Sequence, residues 1–135
     1  MNRRRCLGFL MTSTSMIVAG QAAHASEPAG KPSVELHVDL AVDSAKEEEM
    51  LRIFESDFRP AASRQPGFLD ARMLKLDAIL RGPAPVGCNY RYVLRFVSEE
   101  LRQKWVATPT HKAIWPKIEA TLTSSNYSRL LYDAY

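Results

Sequence analysis

The feature that most constrains the fold is a strictly alternating segment followed at once by a helical pattern. Val34 to Val42 alternates between apolar and polar residues, which predicts a half-buried strand. Ser44-x-x-Glu47 is a capping box, which predicts that a helix begins there. Pro60 is expected to kink or restart this helix, and Gln65-Pro66-Gly67 is expected to end it.

The rest of the chain shows a second strand, a long connection and another strand–helix–strand unit. Strands are predicted over 68–76, 89–97 and 128–134, and residues 77–88 form a Pro/Gly-rich connection. A second helix is expected to begin at Ser98 and to restart at Thr108-Pro109, a cap followed by Pro at the first helical position. The order predicts an α+β fold of the ferredoxin-like βαββαβ type, a four-stranded antiparallel sheet with two helices on one face.

The alternation also assigns each strand residue to one face of the sheet. The face predicted to lie under the helices is apolar and comprises Val34, Leu36, Val38, Leu40, Leu69, Ala71, Met73, Tyr90, Tyr92, Leu94, Phe96, Leu130, Tyr132 and Ala134. The opposite face is predicted to carry four acids, four arginines and His37, with interspersed apolar residues that include Phe68; its charged members are Glu35, Asp39, Asp70, Asp133, Arg72, Arg91, Arg95 and Arg129. Two interpretations stay open. It is a solvated sheet face, or it is a self-complementary surface that pairs two copies of the chain as a homodimer.

The N-terminal residues predict an export signal. Arg3-Arg4-Arg5 precedes a short apolar run, and Ala23-His24-Ala25 has the small-x-small form of a cleavage site. We therefore expect residues 1–25 to be a cleaved signal peptide of the Sec or twin-arginine type, 26–33 a polar tether and 34–135 the domain. The expected location is exported, in the periplasm of a bacterium, without stable membrane insertion, because the apolar run is too short to span a bilayer.

Net charge and cysteine content change once the signal is removed. The chain carries 18 Lys and Arg against 15 Asp and Glu, and residues 1–25 hold three of those arginines and no acid, which leaves 15 of each sign in the remainder. A neutral domain lacks the electrostatic footprint of a nucleic-acid-binding protein.

Cys6 would be removed with the signal, so Cys88 would be the single cysteine of the domain. We interpret Cys88 as a small semi-buried hydrophobe, with a reactive or intermolecular role as the alternative.

Short motifs around both helices resemble those of the antibiotic-biosynthesis monooxygenase-like (ABM) family. They are Gln65-Pro66-Gly67-Phe68, Phe96-x-Ser98-Glu99-Glu100-Leu101 and Trp105-x-Ala107-Thr108-Pro109-x-His111. The resemblance covers about residues 34–135. It implies ferredoxin-like domains that pair as a dimeric α+β barrel, and oxidation of a small phenolic or quinol by O₂ without a cofactor. It also implies that the ligand lies between the sheet and the second helix.

Candidate site residues are the aromatic and polar side chains expected on that side of the sheet. His111 lies near a helix N-terminus, where the dipole keeps imidazole neutral, and it is the expected general base. Tyr90 is the second expected catalytic residue, as a hydrogen-bond donor. The expected substrate-binding residues are Trp105, Trp115, Tyr92 and Asn89. No metal site is predicted, because the domain holds only two distant histidines and one cysteine.

Alternatives remain for each of these assignments. The aromatic residues also suit a packed core, and His111 also suits an exposed first-turn residue. His37 is expected in a salt bridge on the charged face. Haem-degrading members of similar families have an Asn on the first strand and a His ten residues after a Trp; here that position is Trp115, which argues against haem cleavage. The alternative function is a non-enzymatic module that binds a hydrophobic aromatic, including a haem-like ligand.

Overall fold

The predicted order of elements is confirmed in the computed structural model, which describes residues 30–135. The predicted signal peptide and the first part of the tether lie outside these residues. The elements are β1 (Ser33–Leu40), α1 (Glu47–Ile53), α2 (Arg59–Ser63), β2 (Phe68–Lys75), β3 (Tyr90–Phe96), α3 (Glu99–Val106), α4 (Pro109–Glu119) and β4 (Arg129–Ala134). The strands form one antiparallel sheet in the order β2-β3-β1-β4. This is the ferredoxin-like arrangement.

The first helical segment begins one residue earlier than the capping-box pattern predicts. The Asp43 side chain, not that of Ser44, is the cap, since it accepts a hydrogen bond from the Ala45 amide at 2.9 Å. Ser44 already lies inside a short 3₁₀ turn that leads into α1. One π-helical turn, Phe54–Phe58, joins α1 to α2. The expected interruption at Pro60 is therefore present, and the wide turn immediately precedes it.

The second helical segment is built as its caps predict. The Ser98 hydroxyl accepts from the Leu101 amide at 3.3 Å at the start of α3. The Thr108 hydroxyl accepts from the His111 amide at 3.1 Å at the start of α4. Because each cap satisfies a backbone N–H that has no partner inside its helix, the chain ends one helix and starts the next within three residues.

Gly67 is required by both backbone conformation and space. It lies between α2 and β2 with a φ of +83°, in the left-handed region. A Cβ atom there would lie 2.5 Å from Leu101 Cδ1 and 2.8 Å from Val97 Cγ2. The glycine thus lets the first helix–strand corner pack directly against α3.

The predicted sheet faces are wrong for all of β4 and for Phe68. Leu36 pairs with Leu131 and His37 with Leu130, so in β4 it is Leu130, Tyr132 and Ala134 that share the charged face, and Arg129, Leu131 and Asp133 that lie on the helix side. β4 is an edge strand whose residues are mostly exposed, so neither face imposes a hydrophobic pattern. Phe68 also lies on the helix side, 5.9 Å from Phe96 between ring centroids, because the pairing shifts between Phe68 and Asp70.

The open face of the sheet, which the helices do not cover, pairs its charges within the chain. The ion pairs are His37 with Glu35 at 2.7 Å, Arg95 with Glu35 at 3.3 Å, Arg91 with Asp39 at 2.8 Å and Arg72 with Asp70 at 3.0 Å. His37 thus contacts an acid of the same face, as its predicted salt bridge requires, through a hydrogen bond between Nε2 and the Glu35 carboxylate. Exposed apolar side chains on the same face are Leu74, Leu130 and Tyr132. Among residues 30–135, no helix is both long and apolar enough to cross a bilayer.

Candidate active site

A cluster of aromatic rings fills the space between the sheet and the helices. Phe58, at the end of the π turn, is fully buried and contacts five of them, one of which is Phe54 at 5.8 Å between ring centroids. Its ring centroid lies 5.3 Å from Tyr92, 5.7 Å from Trp105, 5.9 Å from Trp115 and 6.0 Å from His111. These separations are typical of favourable aromatic pairs, so Phe58 fixes the positions of the rings around it.

His111 is held in the first turn of α4 by aromatic neighbours on two sides. Its ring stacks on Trp115 at 6.1 Å and 13°, and Trp105 meets it edge-on at 5.1 Å and 88°. Burial, followed by the positive charge of Arg102, lowers the pKa of His111 to about 4. The imidazole is therefore neutral at pH 7, as predicted, and one ring nitrogen is free to accept a proton.

A small chamber, which we call the inner chamber, lies beside this ring. It has a volume of about 60 Å³. Its walls come from β1, β3, α3, α4 and β4, and consist of Leu36, Val38, Tyr92, Leu94, Arg102, Val106, His111, Trp115 and Arg129. The two helices and the sheet thus bring one base, one phenol and two guanidinium groups to a single cavity.

The Tyr92 hydroxyl is a buried polar group of this chamber that lacks a partner among the described residues. Tyr92 is almost completely buried, and its hydroxyl makes no hydrogen bond with any described residue. Burial raises the pKa of Tyr92 well above its usual value, so the group stays a hydrogen-bond donor. An unsatisfied buried hydroxyl costs about 1–3 kcal/mol. A ligand oxygen in the chamber would recover that cost.

A larger groove, the outer groove, lies outside the inner chamber and shares four of its walls. It has a volume of about 440 Å³, and its residues are Val106, His111, Lys112, Trp115, Pro116, Glu119, Ser125, Tyr127 and Arg129. The Trp115 indole N–H donates to the Tyr127 hydroxyl at 2.9 Å, which fixes the indole at the boundary. Chamber and groove together offer the 300–1,000 Å³ typical of small-molecule sites.

The structure brings together three of the six predicted site residues, namely His111, Tyr92 and Trp115. Trp105 lies behind His111, fully buried, and is not a wall of the inner chamber. Its indole N–H has no partner among residues 30–135. Trp105 therefore touches the candidate base rather than the space beside it.

Tyr90 and Asn89 lie away from the inner chamber. The Tyr90 hydroxyl donates to the Glu47 carboxylate, and burial followed by that hydrogen bond raises the pKa of Tyr90 to about 12. Tyr90 lines a separate cavity of about 450 Å³ beneath the connection between β2 and β3. The Asn89 side chain accepts from the Val42 amide at 2.7 Å and donates to the Val42 carbonyl at 2.9 Å. Both contacts are hydrogen bonds to the Val42 backbone, so the side chain has a structural role.

Arg102 and Arg129 are chamber residues that the sequence did not indicate. Arg102 lies in a polar stretch of α3 that is typical of a solvent-facing helix, and Arg129 was assigned to the opposite face of the sheet. Only the spatial crossing of α3, α4 and the edge strand places both at one cavity. The contact between Phe58 and His111 likewise has no signal in the sequence.

Cys88 lies near the separate cavity and fits the interpretation of a small hydrophobe. It is a free, half-buried cysteine. Burial, followed by the negative charge of Asp39, raises the pKa of its thiol. Within residues 30–135, no three His, Cys, Asp or Glu side chains are placed to hold a metal ion.

The strand order and the helix-covered chamber define the molecule as a ferredoxin-like α+β domain. Solved structures similar to it include antibiotic biosynthesis monooxygenases and related domains. A provisionally assigned antibiotic biosynthesis monooxygenase from Caulobacter crescentus is 18% identical, with 78% of this chain and 92% of that one covered and a TM-score of 0.61. SnoaB from Streptomyces nogalater, a cofactor-independent oxygenase solved as a point mutant, is 17% identical over 76% and 93%, also at 0.61.

A third structure bears on assembly. A dimeric ferredoxin-like protein of unknown function from Jannaschia is 13% identical, covers 76% of this chain and 98% of its own, and has a TM-score of 0.61. No family model and no curated protein sequence matches the chain. At these identities the similarity establishes a common fold, and it confirms the ferredoxin-like fold of the single domain that the ABM resemblance implies.

Proposed function

We propose that the protein is a monooxygenase or quinol-oxidising enzyme that uses no cofactor and acts on a small phenolic or quinone-type aromatic. One observation carries the proposal: the same small chamber is lined by a neutral, half-buried His111 and by Tyr92, whose buried hydroxyl has no hydrogen-bond partner among the described residues. A base and a hydrogen-bond donor on one cavity are what deprotonation of a phenol requires. The shared fold with SnoaB, a cofactor-independent oxygenase, supports the same chemistry.

In this mechanism His111 accepts the phenolic proton and Tyr92 donates a hydrogen bond to the resulting oxyanion. The electron-rich ring carbon then forms a bond to O₂, and loss of water from the hydroperoxide leaves a carbonyl. One oxygen atom enters the product, the other leaves as water, and the two hydrogens come from the substrate. With a plain hydroquinone, two electrons and two protons pass to O₂, which gives quinone and H₂O₂.

The low pKa of His111 has two opposing consequences. It keeps the imidazole unprotonated, but it also makes the imidazole a weak base for a phenol whose own pKa is near 10. The phenolate must therefore be stabilised by its surroundings. The Tyr92 hydroxyl and the positive charge of Arg102 supply that stabilisation, since both line the chamber.

The volumes indicate the size of the substrate. The inner chamber, at about 60 Å³, is far too small to enclose a porphyrin or a polycyclic ring system, and it accepts only one oxygen-bearing edge of a ring. The rest of the molecule would lie in the outer groove against Trp115. A single-ring phenol or hydroquinone fits both spaces together.

The test is oxygen uptake with a panel of single-ring phenols and hydroquinones, comparing Tyr92→Phe with Tyr90→Phe. Each variant removes one buried tyrosine hydroxyl from the same face of β3, but only Tyr92 lines the chamber. We expect Tyr92→Phe to lower kcat/KM about 10- to 100-fold and Tyr90→Phe to change it less than about twofold. Equal losses in both variants would refute the assigned role of Tyr92.

The alternative function is a binding module for an aromatic ligand in the same chamber. The unpartnered Tyr92 hydroxyl would serve it equally well, because a bound ligand oxygen also satisfies that donor. Saturable binding of the panel together with no oxygen uptake would establish the module and reject the enzyme.

We also propose that the protein is a homodimer that pairs through the open face of the sheet. Most charges there are neutralised within the chain, so exposed Leu74, Leu130 and Tyr132 would supply the apolar contact. The dimeric Jannaschia neighbour supports the proposal. Light scattering at micromolar concentration should give twice the chain mass, and Leu130→Glu should give the monomer. A monomeric wild-type protein would reject it.

We propose export to the periplasm on the basis of residues 1–25 alone. N-terminal sequencing of the protein from a fractionated bacterial host should begin at Ser26. An uncleaved chain in the cytoplasm would contradict the proposal.

A further inference from the structure

The charges around the inner chamber and the outer groove are unbalanced. Arg102 and Arg129 line the chamber, and Lys112 and Arg129 line the groove. Glu119 is the one acid among the residues that line either space. Arg102 is paired with Glu99, so Lys112 and Arg129 against the single carboxylate of Glu119 leave the combined site electropositive, although the domain as a whole carries no net charge.

Arg102 is fixed in position and keeps donors to spare. Its Nε donates to Glu99 at 2.6 Å and its Nη2 at 2.5 Å, and its side chain is only 17% exposed. A guanidinium group has five N–H donors, so the two N–H groups of Nη1 and one of Nη2 are not used by Glu99. Its positive charge adds to the effect of burial in lowering the pKa of His111, and it opposes the larger effect of burial that raises the pKa of Tyr92. Its electric field therefore reaches both polar groups of the chamber.

Arg129 is a cation without an ion pair among residues 30–135. It begins β4 opposite Val38, on the side of the sheet that faces the chamber. It also borders the outer groove, so it stands where a bound molecule would pass from one space to the other. An exposed, unpaired arginine at the mouth of a cavity is well suited to bind a carboxylate in a bidentate manner.

We propose that the ligand of this site is an aromatic acid, a single ring that carries a hydroxyl and a carboxylate or an equivalent anionic group. Arg129 and the free donors of Arg102 bind the anionic group, Trp115 stacks on the ring, and the Tyr92 hydroxyl hydrogen-bonds the ring oxygen. This inference names the substrate class of the proposed enzyme and so rests on the proposed function. A phenol without an anionic group should then bind more weakly than the corresponding aromatic acid.

The experiment compares hydroquinone with 2,5-dihydroxybenzoate, the same ring with a carboxylate added. Dissociation constants are measured by titration calorimetry without oxygen, for the wild type, Arg129→Gln and Arg81→Gln. Arg81 is an exposed arginine in the connection between β2 and β3, away from both spaces, and it is the matched control for the loss of one positive charge.

We expect the acid to bind at least tenfold more tightly than hydroquinone. Arg129→Gln should reduce that preference at least fivefold, because it weakens binding of the acid more than binding of hydroquinone, and Arg81→Gln should leave both constants unchanged. Arg102→Gln serves as a second variant, with thermal unfolding as its folding control because it also breaks the pair with Glu99. Equal binding of the two ligands, binding of neither, or equal effects of Arg129→Gln and Arg81→Gln would overturn the inference.

Oxygen uptake separates this inference from the proposed function. Selective binding of the acid without oxygen uptake would keep the anion site and reject the oxygenase. Turnover of hydroquinone at least as efficient as turnover of the acid would keep the oxygenase and reject the anion site.

Discussion

The sharpest consequence of the chamber concerns the titration of His111. Burial and the neighbouring Arg102 lower its pKa to about 4, against about 6.5 for a free imidazole. At pH 5.5 a group with a pKa of 4 is about 97% neutral, whereas one with a pKa of 6.5 is about 9% neutral. The fraction of active base at pH 5.5 is therefore about tenfold larger than for an ordinary histidine.

The assay is a pH titration of the histidine ring signals by NMR from pH 8 to pH 3.5. The signal that disappears in His111→Gln is assigned to His111. We expect it to stay in the neutral position at pH 5.5 and to move only near pH 4. If oxygenation requires the neutral base, the rise of kcat/KM with pH should have the same midpoint. A His111 midpoint near 6.5 would refute the burial argument and the assignment of this ring as a shielded base.

The same shift links stability to pH with a definite sign. Between about pH 6.5 and pH 4 the unfolded chain binds a proton at His111 that the folded chain does not bind. The free energy of unfolding therefore falls as the pH decreases through this range. His111→Gln should make the fall smaller, which thermal unfolding at pH 7 and pH 5 can measure.

Two further predictions concern stability. Gly67→Ala should lower the free energy of unfolding, measured in urea, by about 2–4 kcal/mol, because it places a left-handed residue with a Cβ only 2.5 Å from Leu101. The control is Gly87→Ala, where φ is +73° but the space is open, and it should lower the free energy of unfolding by only about 1–2 kcal/mol. Equal costs in the two variants would contradict the steric reasoning. Asn89→Ala removes two hydrogen bonds to Val42, so it should lower the free energy of unfolding by about 1–3 kcal/mol and leave the affinity for aromatic ligands unchanged. A variant of unchanged stability with weakened binding would instead identify Asn89 as a ligand contact.

The sequence predicts the fold well where local chemistry decides it. β1 and β3 are central strands with one face against the helices, so their alternation is clear. Ser98 and Thr108 cap helices through their own side chains, and this needs no tertiary contact. The alternation does not predict the faces of β4, because an exposed edge strand has no covered face. Its adjacent residues Leu130 and Leu131 are compatible with either orientation.

The site is predicted less well, because it depends on where the helices cross the sheet. Tyr90 and Tyr92 share one face of one strand, and the sequence treats them alike. Their hydroxyls meet different neighbours, since Glu47 of α1 lies over Tyr90 while the inner chamber lies over Tyr92. Arg102 and Arg129 come from a helix and an edge strand that only the tertiary fold brings to one cavity.

The most direct test of the central claim is the incorporation of ¹⁸O from ¹⁸O₂ into the product, measured by mass spectrometry for wild type, His111→Gln and His37→Gln. Both histidines lie within the domain, but His37 sits on the open face of the sheet beside Glu35. With a phenolic substrate of the panel that the wild type oxygenates, we predict one ¹⁸O atom per product molecule in the wild type and in His37→Gln, and at least a roughly tenfold slower reaction in His111→Gln. The same rate and labelling in His111→Gln would contradict the account, and unlabelled product from every substrate in the wild type would reject the oxygenase in favour of quinol oxidation, which gives H₂O₂.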